Sequence, residues 1–444
     1  MRVLGIELRR SAAPVLGGLV VVLLLGLLFW LPPAGKGSTA WTRQWWSMAE
    51  WVRYALVFAW PLTAGAGAVQ GLRDRRSGVE ELFASTPRPR AQRAARTLAA
   101  LAVALLVAYL VVVVVGGVQV AAKAGHLGLG WVPVALVGLL SLVAAAWLGM
   151  GVGRLLPSPL TPPLLAVGAM ALMVVAEAAG DEGYPFVLLR PSATRPGSVF
   201  AHTAGSVSAG QALWFGGMAV AGVLLFALRR WWSGVLPLLA GAALALPLLP
   251  TTSAEATAAD PAAAELACAD GLCLTRAHER ERAALAGPAR EALALLSKLP
   301  APPAEVRELP NPVRPEPRGP EPTDTVWLDL DDLVYFRSTP LPAIRITELL
   351  VEGAGTRECN ARDGFPDREV VARAVTTAWL TGHLTPLRNY LGEEDPELNP
   401  LAQQALTTLN ARPAADQRAH VEAARQSLAA CTGTAWTALT GEPA

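Results

Sequence analysis

The chain carries too little charge for an ordinary soluble protein. Asp, Glu, Lys and Arg make up 16% of its 444 residues, against about 25% in soluble domains. Lysine is nearly missing: 3 residues against 34 arginines, the bias that a GC-rich bacterial genome produces. No cysteine precedes Cys268. No G-x-x-x-x-G-K-[ST] stretch occurs, and no Gly-rich loop stands between a strand and a helix, so the chain has no cradle for nucleotide phosphates. A G-x-S-x-G nucleophile elbow is also missing. Outside the apolar half no basic patch is interleaved with aromatics, which excludes a nucleic-acid binder.

What is present is mostly apolar, 52% by residue, with a mean hydropathy of +0.37. The formal charge of +1 hides a division. Residues 1–250 hold 19 basic and 8 acidic residues, a net +11; residues 251–444 hold 18 and 28, a net −10. A basic apolar half joined to an acidic polar half reads as a membrane domain followed by a soluble one. Crossing about 30 Å of hydrocarbon takes roughly 20 apolar residues in a helix. Seven stretches qualify, near 13–31, 51–70, 97–121, 131–153, 162–179, 211–228 and 231–250. The fifth is short and follows Pro162 and Pro163, and the last two meet at the tight Arg229–Arg230–Trp231–Trp232 turn. The first, although flanked by Arg9 and Arg10, is too long for a cleaved signal and reads as a retained anchor.

Cation placement sets direction. With the N-terminus cytoplasmic, thirteen cations lie on the cytoplasmic side, seven of them between Arg73 and Arg96, and six lie opposite. Seven crossings then place residues 251–444 outside. The four cysteines, Cys268, Cys273, Cys359 and Cys431, all fall in that last part, as expected for an oxidising compartment. The favoured pairing is Cys268–Cys273 and Cys359–Cys431. Free thiols in a cytosolic domain are the alternative, and zinc is disfavoured because the C-x4-C spacing lacks a second pair.

The segment from Gly71 to Leu101 is the most informative. Ser77 and Glu80 form an S-x-x-E capping box, Val79, Leu82 and Phe83 share one face of the short helix that follows, and Pro87 and Pro89 end it. Such a helix is built either to dock on a partner or to rest on lipid, its arginines against anionic headgroups. The run Ser-Gly-Val-Glu-Glu-Leu-Phe, then Ser-Thr-Pro, resembles the loop after the second span in ABC transporter permeases of the type-2 exporter class. Gly78, Glu81, Leu82, Thr86 and Pro87 match that family's GT-x-E-L-L-x-x-T-P pattern in order, with Val79 for Thr and Phe83 for the second Leu. The opening MRVLGIELRRS is similar to the family's amphipathic start. The resemblance covers residues 1 to about 230. It implies a coupling helix that contacts a separate ABC ATPase subunit, and work as a homodimer or beside a second permease subunit. The family core has six spans, so a seventh at 231–250 would deliver an appended domain outside.

Small residues spaced by four, Gly67 and Gly71, Gly149 and Gly153, Gly217 and Ala221, let helix backbones approach, within one chain or between two. Arg53 and Glu177 are read as snorkelling from outer ends, and the dearth of buried charge argues against ion-coupled transport. Trp30, Trp41, Trp45, Trp46, Trp51 and Trp131 read as an aromatic belt, with Trp41, Trp45 and Trp46 on a short re-entrant or interfacial helix.

In the polar part, residues 251–264 read as a tether, Glu279–Lys298 as a helix, and 300–322, with nine prolines, as an extended linker. A strand is expected over Trp327–Phe336 and helices over 367–382, 399–410 and 414–430. His278-Glu279 opens an HERER run that lacks the second His of a zinc-protease helix, Arg282 standing in its place. Asp329, Asp331 and Asp332 lack the glycine and terminal Glu of a calcium loop. No catalytic residue, metal or cofactor is therefore expected. The fold class is an all-α polytopic membrane bundle of about seven helices followed by a small α+β or mostly α soluble domain. Its parts are 1–250, a tether, helix and linker over 251–325, and an extracytoplasmic domain over 326–444. The function expected is that of the permease subunit of an exporter in a bacterial cell membrane, with ATP hydrolysis on another chain. The alternative is a non-transporting anchor for a sensor, immunity or assembly domain.

Overall fold

The computed structural model describes residues 12–30, 39–42, 44–76, 90–178, 184–192, 199–228, 230–310, 321–330, 343–359, 366–389 and 392–442. The chain divides into two compact units, Met1–Asp260 and Pro261–Ala444.

The first unit is a bundle of apolar helices: α1 (Ala13–Trp30), the short α2 (Thr39–Thr42), α3 (Trp45–Arg76), α4 (Arg90–Ala121), α5 (Trp131–Leu155), α6 (Thr161–Ala178), the one-turn α7 (Tyr184–Leu188), α8 (Gly205–Leu228) and α9 (Trp232–Ala245). Among the described residues six helices are long and apolar enough to cross a membrane, α1, α3, α4, α5, α6 and α8. The last apolar stretch is shorter than the sequence suggests. It runs over Trp232–Leu248, with Pro237 inside it and a 3-10 turn at its end. At 1.5 Å per residue an α-helix of that length reaches roughly 25 Å. It nevertheless retraces α8: Gly234 packs on Leu225, Gly241 on Gly217, and Leu249 on Gly210.

Glycines set the closest contacts of the bundle. A Cβ on Gly67 would lie 2.3 Å from the Ala146 carbonyl oxygen, and one on Gly71 the same distance from that of Met150. From the other side, a Cβ on Gly149 would meet Ala64 O at 2.1 Å and one on Gly153 would meet Ala68 O at 2.4 Å. The two small-residue pairs therefore form one seam along which α3 and α5 run parallel, inside a single chain.

The connections gather at two ends. At one end Lys123 Nζ donates to Thr42 Oγ1 at 3.2 Å, His126 Nε2 stands 3.9 Å from Asp260 Oδ2, and His202 lies against Gly130. Here β1 (Ala201–Thr203) pairs antiparallel with β2 (Thr257–Ala259). At the other end Arg154 Nη1 donates to Phe226 O at 3.1 Å, its guanidinium lying over the Phe226 ring.

The tryptophans depart from a simple belt. Trp30 is 88% exposed, but Trp41 and Trp46 are buried. Trp41 Nε1 donates to Leu28 O at 2.9 Å, closing the turn between α1 and α3. Trp45 opens α3 and stacks on Trp131.

The second unit is α+β. A four-stranded sheet runs β3 (Leu266–Ala269), β4 (Leu272–Thr275), β5 (Glu305–Glu308) and β6 (Thr325–Leu328), antiparallel for the first pair and parallel thereafter. Asp270 and Gly271, both at positive φ, make the two-residue turn between β3 and β4, the backbone that Asp-Gly favours. Among the described residues it also holds helices α10 (Arg282–Leu296), α11 (Ala343–Val351), α12 (Asp367–Thr381), α13 (Leu398–Asn410), α14 (Ala414–Ala430) and α15 (Ala435–Thr440). One apolar core joins Leu274, Leu296, Val306, Val326, Val375 and Trp436.

Candidate functional site

The coupling-helix residues Gly78, Glu81, Leu82, Phe83, Thr86 and Pro87 lie outside the described residues. The segment that holds them, 77–89, joins α3 to α4, two helices of 32 residues each. Their two flanks fall at the Arg154–Phe226 end of the bundle, because α3 and α5 run in parallel and both end there.

The opposite end holds a buried polar cluster. Glu50 and Arg53, three residues apart, share one face of α3. Arg53 is fully buried and Glu50 is 2% exposed. Arg53 donates from Nε (2.9 Å) and Nη2 (2.7 Å) to the Pro191 carbonyl, and from Nη1 to Gln211 Oε1 at 2.9 Å. Gln211 Nε2 in turn donates to Leu188 O at 2.7 Å. Thr203 Oγ1 donates to Glu50 Oε1 at 2.5 Å. Tyr109 completes the group, its hydroxyl pressed against Gly138 beside Arg53 Cγ. That hydroxyl and those of Ser192 and Ser208 are buried without a hydrogen-bond partner among the described residues.

This cluster corrects the reading of Arg53 as a snorkelling residue. A guanidinium at the first turns of a span reaches water only if the chain leaves a path. Here Arg53 is fully buried, and its acceptors are the Pro191 carbonyl and Gln211 on α8. Glu177 does stay accessible, with 61% of its side chain exposed, and is paired with Arg190. Hydropathy shows neither Thr203 nor Gln211 as a partner, since they lie 153 and 158 residues away in sequence. The one usable signal was the i, i+3 spacing of two opposite charges at the start of an apolar helix.

In the second unit both disulfides form, Cys268–Cys273 and Cys359–Cys431, and no described cysteine is free. The first links residues directly opposite each other on β3 and β4. Cys268, Cys273 and Glu305 have ligand atoms within 4.8 Å of one another, but sulfurs bonded to each other are not the thiolates that a metal takes. The HERER run is knit into the fold by hydrogen bonds. His278 Nδ1 meets Glu308 Oε1 at 2.5 Å, and Glu308 Oε2 accepts the Thr275 N–H at 2.7 Å. Arg282 bridges the hairpin, donating to Leu272 O at 2.9 Å, Ala267 O at 2.5 Å and Glu279. Its guanidinium holds Glu279 below the usual carboxylate range. His383 and His420 have separate partners, Glu348 and the Ala438 carbonyl. Asp331 and Asp332 lie outside the described residues. A cavity of about 100 Å³ lies beside the Cys359–Cys431 bridge, and Arg357 and Arg373 on its wall are paired with Glu321 and Glu352.

No protein-family model, curated protein or solved structure matches the chain.

Proposed function

We propose that this chain is the membrane-spanning subunit of an ATP-binding-cassette exporter, driven by a separate ATPase subunit and carrying its second unit outside a bacterial cell membrane. The observation that carries the reading is the Gly78–Pro87 run. Its sequence resembles a coupling helix, and it joins the ends of two long helices, one of them seated in the glycine seam with α5. The cation count of thirteen against six favours the cytoplasm for that loop. In this reading all seven apolar stretches cross, Trp232–Leu248 included. The α8–α9 hairpin returns the chain from the level of Leu225 to that of Gly210, and the Ala204 amide then donates to Ala256 O. The two disulfides fit the oxidising side that this topology gives to residues 261–444.

The test is co-purification. Phe83→Asp puts an unpaired charge into an apolar contact, an unfavourable change far larger than loss of the ring alone. The full chain should reach the membrane at normal abundance and lose its ATPase partner. Equal recovery of the ATPase with wild type and Phe83→Asp would leave the loop a lipid-resting helix and favour the anchor reading.

A further inference from the structure

The last residues of the first unit, up to Asp260, are held in a short strand pair. Thr257–Ala259 pairs with Ala201–Thr203 in register, and the pairing is extended at both ends, by Ala204 N to Ala256 O at 2.9 Å and by Asp260 N to Phe200 O at 2.6 Å. Ala256 is fully buried. One residue after Asp260, the soluble unit begins.

The partner strand is itself fastened to α3. Thr203, the last residue of β1, donates to Glu50, and the preceding segment is held at Pro191 O by Arg53. We infer that Glu50, Arg53 and Thr203 form a latch that ties the β1–β2 strap to α3, so that displacement of α3 along its seam with α5 is delivered to the junction of the soluble unit. Three features support a device rather than an inert weld. The latch is made of charged groups in a low-dielectric interior, where a hydrogen bond is strong when made and its loss expensive. Buried hydroxyls on Tyr109, Ser192 and Ser208 have no hydrogen-bond partner among the described residues and are available as partners in a second arrangement. Finally, α3 runs as one helix from Trp45 to Arg76 with Pro61 inside it, its half beyond Pro61 fitted closely to α5 by glycines.

In the permease reading, the same helix ends at the loop that receives the ATPase. The inference itself needs no ATPase, and its test uses none.

All four native cysteines are paired, so an added thiol can be read alone. Ala258→Cys places one on β2, opposite His202. Its alkylation by a hydrophilic maleimide in the full-length protein in lipid nanodiscs reports opening of the strap. Thr203→Val should raise that rate about tenfold, the loss of one hydrogen bond to a charged group. Gly71→Ala, which forces α3 off Met150 at the far end of the seam, should raise it severalfold when Thr203 is present. It should add nothing in the Thr203→Val background, where the latch is already open. Gly67→Ala displaces the same seam at Ala146 and serves if Gly71→Ala is not recovered from membranes. An unchanged rate on displacing the seam, or the same factor with and without Thr203, would overturn the inference.

Discussion

Gly149 on α5 lies directly beneath the Ala64 carbonyl of α3, so close that a methyl group would sit 2.1 Å from that oxygen. Gly149→Ala therefore cannot be absorbed by a rotamer change and must separate two backbones. Overpacking of this kind costs about 1–3 kcal/mol. The substitution should lower the melting temperature of the detergent-solubilised protein. Gly168→Ala and Gly216→Ala, where an added Cβ meets nothing within 4 Å, should leave it unchanged or raise it. Equal behaviour of all three would remove the seam as the organising contact of the bundle.

Arg53 and Glu50 should show strong non-additivity. Arg53→Gln removes the cation whose field acts on buried Glu50 and strips Pro191 O and Gln211 of their donor, and a buried charge left uncompensated is strongly destabilising. The double variant Glu50→Gln/Arg53→Gln removes both charges and should be more stable than Arg53→Gln alone. Thermal unfolding of the full chain checks this, and a double variant as unstable as the sum of the singles would contradict an electrostatic coupling of the two residues.

The two disulfides should differ in weight. Cys359–Cys431 closes a separation of 72 residues and Cys268–Cys273 one of 5. In the chain-entropy model they contribute about 4 and about 2 kcal/mol. The smaller bridge spans a hairpin already closed by Asp270–Gly271, so its Ser variants should be tolerated better. Urea titration monitored by hydrogen exchange in the second unit compares them. Mass spectrometry of non-reduced peptides should recover both bridges from membrane-derived protein, and free thiols there would count against the extracytoplasmic placement.

The Arg282 bracket should respond to acid. Glu279 is held below its ordinary value near 4.5, so its share of hairpin stability is complete above that value. It is lost as the pH falls through the depressed one. Protection factors of the β3 and β4 amides, referred to the intrinsic rate at each pH, should fall below about pH 4.5 in wild type, and Glu279→Gln should flatten that dependence.

Hydropathy alone located every long helix, because bilayer thickness imposes a length that a window can count. It overextended the last stretch, where Pro237 and Pro247 interrupt regular helix and leave 17 residues. The strands β1 and β2 were invisible to it: three residues each, Ala-rich, and paired across two helices. The Asp270–Gly271 turn was a legible hairpin signal between Leu266–Ala269 and Leu272–Thr275 that composition obscured. The disulfide partners followed from loop arithmetic, whereas the burial of Arg53 did not. Its acceptors, the Pro191 carbonyl in a stretch with no pattern of its own and Gln211 near the start of α8, come to it only on folding.

The account stands most directly on what Phe83 touches. A photoreactive phenylalanine analogue at position 83 of the full chain, irradiated in native membranes, captures the nearest molecule. The predicted result is a protein adduct whose partner yields a peptide with G-x-x-x-x-G-K-[ST], lost when Leu82→Asp is combined with the probe. Adducts confined to lipid, with no such protein captured, would contradict the proposal that this loop couples the chain to an ATPase.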